Sequence, residues 1–258
     1  MAARAIWKGQ LVIGDEKVAV KMYSAVQDRT VHFRLLDKES LSPVKQRIVR
    51  KTDGKEVEKE ERRKAFALDP ERAVMLTPDE LDKLEPEASR DIELSRFLAP
   101  SLLGEQWYDR PYYLGPDEDD EKKYFALVEA LEERKVLGIA RWVMRRKHYL
   151  GALTVLDGYL MMVTLRRAEQ VLEAPEGKAA PVNDKELGLA ERLVEEISGD
   201  FDPGLWQDEY HERVCKLIEA KAKGKKLKLP AAPRKRASGD LADQLRQSLS
   251  SVKERRVA

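Results

Sequence analysis

The sequence is poor in cysteine and histidine, with one cysteine and three histidines among 258 residues. Because Cys215 is the only cysteine, an internal disulfide framework and a cysteine-based zinc site are both excluded. The histidines lie far apart, at His32, His148 and His211, and the chain has no Gly-Lys-Ser/Thr phosphate-binding loop. Cleavage of a phosphodiester usually needs carboxylates or histidines clustered around a metal. The sequence therefore favours a protein that is not an enzyme and needs no metal or other cofactor.

Long uncharged runs are equally scarce. The segment Tyr149–Leu165 contains a single charge, Asp157, and its length approaches that of a membrane span. However, Asp157-Gly158 lies in its middle and is a strong hairpin-turn signal, which favours two strands. The start of the chain, MAARAIWKGQ, lacks the long apolar core of a signal peptide. We expect a protein that makes no use of a membrane and works in a reducing cytoplasm.

Strand patterns dominate the first two-thirds of the chain. Residues 137–145, 149–156 and 159–166 predict three antiparallel strands that form the core of a β domain. Residues 5–36 also predict strands, because Val18, Val20 and Met22 alternate with the residues at 19, 21 and 23 and would share one face. The same alternation at Val31–Leu35 places Arg34 on the opposite side, where it faces either solvent or a ligand.

Residues 43–76 are strand-like but too charged to form a core. Asp53-Gly54 supplies a turn, and residues 55–59 can return along the first strand. About ten extended residues would reach roughly 33 Å at ~3.3 Å each. Duplex DNA carries about one negative charge per 1.7 Å of axis, so cations spaced along such a ribbon could follow it. The candidates are Lys45, Arg47, Arg50 and Lys51. A solvated hairpin is the alternative.

Helical patterns follow at four places. Thr77-Pro78 predicts a helix start, and residues 120–134 predict a helix with one apolar face. After a Pro- and Gly-containing linker at 173–183, Asn183 or Asp184 can cap a further helix. Asp202-Pro203 then predicts a longer helix to about Lys223. Its apolar residues are Trp206, Tyr210, Val214, Leu217 and Ile218. This face must pack on the chain's own β domain or on a second copy.

The end of the chain is basic. From Arg213 to Ala258 there are 14 Lys/Arg and 4 Asp/Glu, which leaves 34 and 43 for the rest of the chain. Such an asymmetry suggests that the tail seeks a polyanion. Its cations in the flexible linker are Lys221, Lys223, Lys225, Lys226, Lys228, Arg234, Lys235 and Arg236. Asp240 then predicts a final short helix with one apolar side, which is either a docking peptide or a frayed tail. This helix carries Leu241, Leu245, Arg246 and Leu249.

Four stretches together resemble the prokaryotic Ku family, the homodimeric DNA-end-binding proteins of non-homologous end joining. They are RAIWKG followed by VAVKMYS, then PYYL with the following Pro116-Asp117, then GDFDP with DEY and LIEAK, and lastly LADQLRQSL. They occur in the order that the family shows and span nearly the whole chain.

The resemblance implies an α+β, mostly β fold. An antiparallel β-barrel core (1–172) would carry a DNA-encircling strand bridge (about 37–76), a helical dimerisation arm (173–223), and a basic linker with a docking helix (224–258). Two chains would form a ring around duplex DNA, with Arg141, Arg145, Arg146 and Lys147 beside the DNA cradle. The docking helix resembles the segment that recruits the multidomain ATP-dependent repair ligase through its polymerase domain. The expected location is the bacterial cytoplasm, at the nucleoid.

One departure concerns the bridge. Many bacterial members carry cysteines there with zinc-like spacing, whereas residues 44–57 of this chain contain none. We therefore do not expect a bound metal. The alternative function is a general nucleic-acid-binding or nucleoid protein that acts through its basic tail.

Overall fold

A computed structural model describes residues 4–117, 120–175, 177 and 182–224. These residues fall into two compact units. The first contains the residues up to 29 together with 34–173, and the second contains 30–33 and the residues from 174 onward. Each unit is described by itself below.

The first unit contains a closed seven-stranded barrel in the order β1-β2-β6-β9-β8-β7-β5. Its strands are β1 (Trp7–Ile13), β2 (Glu16–Ser24), β5 (Asp91–Leu98), β6 (Tyr108–Pro116), β7 (Leu137–Met144), β8 (Lys147–Leu156) and β9 (Tyr159–Leu165). This confirms the predicted mostly β fold. Neighbouring strands are antiparallel except at the closing seam, where β1 and β5 run parallel from Gln10↔Asp91 to Val12↔Glu93.

The alternating residues point into the barrel as predicted. Val18, Val20 and Met22 of β2 are buried, and the Leu153 and Leu160 side chains of the β8–β9 hairpin have no exposed surface. Both residues of the intervening turn adopt positive φ, 51° at Asp157 and 74° at Gly158. This is the backbone that the Asp-Gly pair favours.

A helix, α2 (Glu121–Arg134), completes this core and packs against β2, β8 and β9. Its predicted apolar face is buried at Tyr124, Val128 and Leu131. The Tyr124 hydroxyl donates to the Leu114 carbonyl at 2.5 Å and accepts from the Leu160 amide at 2.8 Å. Leu114 and Leu160 are register partners of β6 and β9, so the hydroxyl ties the helix to a strand pair.

The charged segment forms short hairpins rather than one long ribbon. The predicted turn is present: Val49 pairs with Glu56, and Gly54 has a φ of 68°. A smaller loop pairs Leu36 with Pro43. Further on, β3 (Lys64–Ala67) and β4 (Ala73–Leu76) form a separate two-stranded sheet. The extent of the predicted ribbon was wrong, because few apolar residues are available to hold long strands together.

The strand expected at Val31–Leu35 was a further error. Residues 31–35 form no strand, and Phe33 and Leu35 are 68% and 65% exposed. Alternation alone does not make a strand without a neighbour to receive its hydrogen bonds.

The predicted helix start at Thr77 is confirmed by α1 (Pro78–Lys83), whose Thr77 and Glu80 form a capping box.

The second unit contains α3 (Asp184–Ile197) and α4 (Glu209–Ala222). Asn183 caps α3 by accepting from the Glu186 amide at 2.9 Å, as predicted. The single helix expected from Asp202 is divided, because two aspartates act as caps. Asp202 caps only a 3-10 turn (Pro203–Leu205), and Asp208 accepts from the His211 amide at 3.0 Å to start α4. Trp206 therefore lies before α4 rather than on it.

Candidate nucleic-acid interface

The β7–β8 hairpin carries four of the predicted DNA contacts. Arg145 and Arg146 form a two-residue turn, with φ of 50° and 61°, and Lys147 opens β8. Together with Arg141 of β7 these residues are called the basic hairpin, and all four are exposed. Non-glycine residues rarely adopt positive φ, because the backbone crowds the Cβ atom. The sequence prediction ended the first strand at residue 145 and left 146–148 as the connection, so the observed turn is shorter and begins one residue earlier, since Arg-Arg is not a turn signal.

A stacked pair of aromatic residues from β7 and β8 anchors this hairpin in the core. Trp142 is 2% exposed, and its ring stacks on that of Tyr149 with 5.4 Å between centroids and 17° between planes. These two residues pair across β7 and β8, three residues before and after the turn. The exposed arginines are therefore attached to a rigid strand pair.

Two of the four cations of the basic hairpin lie beside carboxylates. Arg141 pairs in register with Glu93 and shares with it and Asp91 a depression of about 260 Å³. Arg146 forms an exposed ion pair with Glu85 at 3.1 Å. Glu93 and Glu85 therefore offset the charges of Arg141 and Arg146, whereas Arg145 and Lys147 have no ion pair in the described part of the chain.

The bridge cations are Lys45, Arg47, Arg50 and Lys51, and all are exposed. Arg47 forms an ion pair with Glu56 at 2.9 Å, and Arg50 forms one with Asp53 at the same distance. Neither lysine has an ion pair among the described residues. The sequence analysis missed these ion pairs, although an aspartate three residues after Arg50 across a turn is a signal that could have been used.

The other predicted cations lie outside the basic hairpin and the bridge. Arg34 is exposed and lies in an irregular segment, not on the predicted strand. Lys221 and Lys223 are exposed at the end of α4. The remaining tail cations, from Lys225 to Arg236, and the docking residues Leu241, Leu245, Arg246 and Leu249 lie outside the described residues.

The predicted dimer arm forms an open apolar groove in the second unit. Trp206 and Tyr210 are 75% and 70% exposed, and Ile218 is 46% exposed. Tyr210, Val214, Leu217 and Ile218 line a cavity of about 570 Å³ together with Phe33, which the sequence analysis had assigned to a strand.

The described residues contain no group of three His, Cys, Asp or Glu that could hold a metal ion. None of the described helices has the length and apolar character needed to cross a membrane. Carboxyls whose pKa is lowered lie in turns and caps. Hydrogen bonds from Ser40, Arg72 and Thr77 lower the pKa of Asp37, Asp69 and Glu80 respectively. These shifts mark local structure, not acid–base chemistry.

Fold and surface together define a β-barrel scaffold that presents cations on exposed turns. The family model described as the Ku70/Ku80 beta-barrel domain matches residues 12–189. The chain belongs to the Ku family, which confirms the resemblance seen in its motifs. A protein of Geotalea uraniireducens (strain Rf4) named non-homologous end joining protein Ku 2 is 35% identical over 256 residues, which is 98% of this chain and 100% of that protein.

Two other relatives are similarly close along their whole lengths. The non-homologous end joining protein Ku of Coxiella burnetii is 33% identical over 99% of this chain and 96% of its own. The protein of the same name from Archaeoglobus fulgidus is 33% identical over 97% of this chain and 100% of its own.

Proposed function

We propose that this chain is a non-catalytic protein of bacterial non-homologous end joining that binds double-stranded DNA ends without sequence specificity. The observation that carries this proposal is the basic hairpin, in which two arginines occupy an unfavourable backbone conformation at the tip of a rigid strand pair. Backbone strain in a rigid element is often retained at functional positions. Two adjacent exposed guanidiniums suit phosphate oxygens, which they can contact in pairs.

The bridge supplies the second part of the proposed interface. Lys45 and Lys51 are available for phosphates, whereas Arg47 and Arg50 must first leave their carboxylates. Contacts with phosphate and sugar position a protein on a duplex but do not read its sequence. An interface of exposed Lys and Arg side chains therefore fits binding to ends of any sequence.

The proposed active form is a homodimeric ring. The groove on α4 exposes Tyr210 and Ile218, and Trp206 before it is also exposed. Burying such apolar surface is favourable by about 25 cal/mol per Å², which supports a contact with a second copy. A closed ring retains DNA by topology, so it must load at an end and then slide along the duplex.

We also propose that the tail recruits the repair ligase through the ligase's polymerase domain. The apolar positions of the sequence at 240–252 support this assignment, and the proposed place of action is the nucleoid in the bacterial cytoplasm. Replacing Leu245 and Leu249 by Asp should leave end binding intact and abolish stimulation of the ligase. Unchanged end joining by the double variant would contradict the docking role.

An end-dependence assay tests the main proposal. Linear duplex and a covalently closed circle of the same length and sequence are titrated with the full chain, and the mass of the protein in solution is measured in parallel. We expect tight binding to the linear duplex, weak binding to the circle, and the mass of a dimer. Equal binding to both forms would reject a ring that loads at ends and would favour general binding through the basic tail.

A further inference from the structure

A cleft of about 580 Å³ opens in the first unit at the seam of the barrel. It lies beside the residues that immediately precede β5 in the chain. The pairing of β1 with β5 begins at Gln10, and the pairing of β5 with β7 ends at Trp142. Trp7 and Lys8 of β1 are therefore paired only with β2, and Val143 and Met144 of β7 only with β8. Between these two strands, the barrel wall is interrupted.

Apolar side chains form the floor of this seam cleft. They come from the start of β1, from the segment before β5 and from the end of β7, and are Ile6, Trp7, Pro86, Val143 and Met144. Met144 belongs to the buried core, whereas Ile6 remains 41% exposed. A volume between about 300 and 1,000 Å³ with a mostly apolar lining is typical of ligand sites. The floor can thus receive one bulky apolar side chain.

The rim of the cleft is cationic, with Lys8, Arg90, Arg145 and Arg146 all contributing to its lining. Lys8 and Arg146 form ion pairs with Asp117 and Glu85, at 3.6 and 3.1 Å. Arg90 and Arg145 have no ion pair within the described part of the chain. Two available guanidiniums above an apolar floor complement a ligand that carries carboxylates beside an apolar group.

The floor favours a peptide over a nucleotide. Unpaired bases bind by stacking on accessible aromatic faces, and Trp7 is the one aromatic residue that lines the cleft. Its ring lies over Gly9, where it fills the space that a Cβ atom would occupy, and it packs against the core. The remaining floor is aliphatic, which suits a leucine or phenylalanine side chain. The interrupted strand pairing on both sides also leaves room for an extended main chain.

We propose that the seam cleft binds an extended acidic segment of another protein through one bulky apolar side chain flanked by Asp or Glu. This interaction goes beyond end binding. Its anchor contacts Ile6 and Val143, and its carboxylates contact Arg90 and Arg145. A partner could therefore be held on the barrel independently of the basic tail.

The test uses the full chain and a panel of short fluorescein-labelled peptides of Glu and Asp with a single central Leu, Phe or Trp. Control peptides carry Ala at the centre, or Lys in place of the acids. Fluorescence anisotropy at low and at physiological salt should show binding of at least one anchored acidic peptide. We expect affinity to fall by at least about tenfold with the Ala peptide and with Ile6→Asp, because the buried apolar group is lost.

Arg90→Glu provides a second variant on the rim, and Arg63→Glu is a matched control because Arg63 is exposed and lies outside the cleft. Arg90→Glu should weaken the anchored peptide and Arg63→Glu should not. Neither Ile6 nor Arg90 belongs to the proposed DNA contacts, so binding of linear duplex should persist in both variants and report correct folding. Failure of end binding in the unaltered protein would instead refute the proposed function.

Three results would overturn the inference. The first is that no anchored peptide binds, and the second is that the Ala peptide binds equally well, which would indicate charge attraction alone. The third is that a single-stranded oligonucleotide binds and is lost with Ile6→Asp, which would assign the cleft to nucleic acid.

Discussion

The turn of the basic hairpin predicts opposite effects of one double substitution on stability and on DNA binding. Replacing Arg145 by Asn and Arg146 by Gly introduces the residue pair that a two-residue turn with positive φ favours. The observed φ values, 50° and 61°, place both arginines in the left-handed region, which costs roughly 1–2 kcal/mol per residue with a Cβ atom. The variant should therefore be the more stable protein.

Three contributions determine the size of this effect. Relief of the two backbone conformations contributes about 2 kcal/mol, since Asn tolerates the left-handed region only in part. Glycine offsets about 0.5–1 kcal/mol through the entropy of the unfolded chain. The ion pair of Arg146 with Glu85 is exposed, with 73% of the arginine side chain accessible, so its loss costs less than about 1 kcal/mol. The net gain is about 0–1.5 kcal/mol.

DNA binding should change in the opposite direction. The logarithm of the binding constant falls linearly with log salt concentration, and each phosphate contact that is lost makes this slope less negative by about 0.9. Loss of both arginine contacts should therefore make the slope less negative by about 1.8 per protomer. Urea unfolding followed by circular dichroism measures the stability, and titration of linear duplex at several salt concentrations measures the slope.

Arg145→Gln with Arg146→Gln is the matched control. It removes the same charges but keeps side chains at both left-handed positions, so DNA binding should fall as in the Asn-Gly variant without the gain in stability. The reasoning is refuted if the Asn-Gly variant is no more stable than this control, or if either variant binds linear duplex with an unchanged salt slope.

Four further outcomes follow from the described contacts and from the proposed function. Tyr124→Phe should lower the free energy of unfolding by roughly 2–4 kcal/mol, because two buried backbone groups lose their partner; a loss below about 0.5 kcal/mol in urea unfolding would contradict this. Burial raises the pKa of Tyr124, so the folded state retains a proton that the unfolded state releases above about pH 10. Stability should therefore fall from that pH upward, and less so in the Phe variant. Lys51→Gln should reduce the magnitude of the salt slope by about 0.9. The double variant Arg47→Gln with Glu56→Gln, which leaves the net charge unchanged, should reduce it less. Equal reductions would contradict the proposal that Lys51 is available for phosphate whereas Arg47 is held by Glu56. Truncation of residues 225–258 should preserve preference for linear over circular duplex in the titration, and loss of all DNA binding would assign the function to the tail.

Motifs of a few residues accounted for most of the correct local predictions. Asp157-Gly158 placed the β8–β9 turn, Thr77 and Asn183 placed two helix starts, and the alternation at Val18–Met22 identified buried positions of β2. In each case the controlling interaction lies within a few residues, as a dihedral preference, a cap or a period of two. Family motifs distributed along the chain then identified the Ku family, which the comparison with its relatives confirmed.

Contacts between residues that are separated in the sequence could be assigned only from the tertiary structure. The parallel β1–β5 seam joins strands about 80 residues apart in the chain, and alternation along one strand does not specify its neighbour. The same limit explains why residues 31–35 were wrongly predicted as a strand, and why the ion pair of Arg47 with Glu56 was missed.

The sequence by itself determined that the protein is a mostly β member of the Ku family with cations in a charged bridge and a basic tail. Among the described residues, the tertiary structure alone decided which of those cations are available. It placed Arg145 and Arg146 on a strained turn, paired Arg47 and Arg50 with carboxylates, and opened a cleft where β5 begins late. Charge can be read from composition, but its strength at a surface depends on which residues the fold brings within a few ångströms.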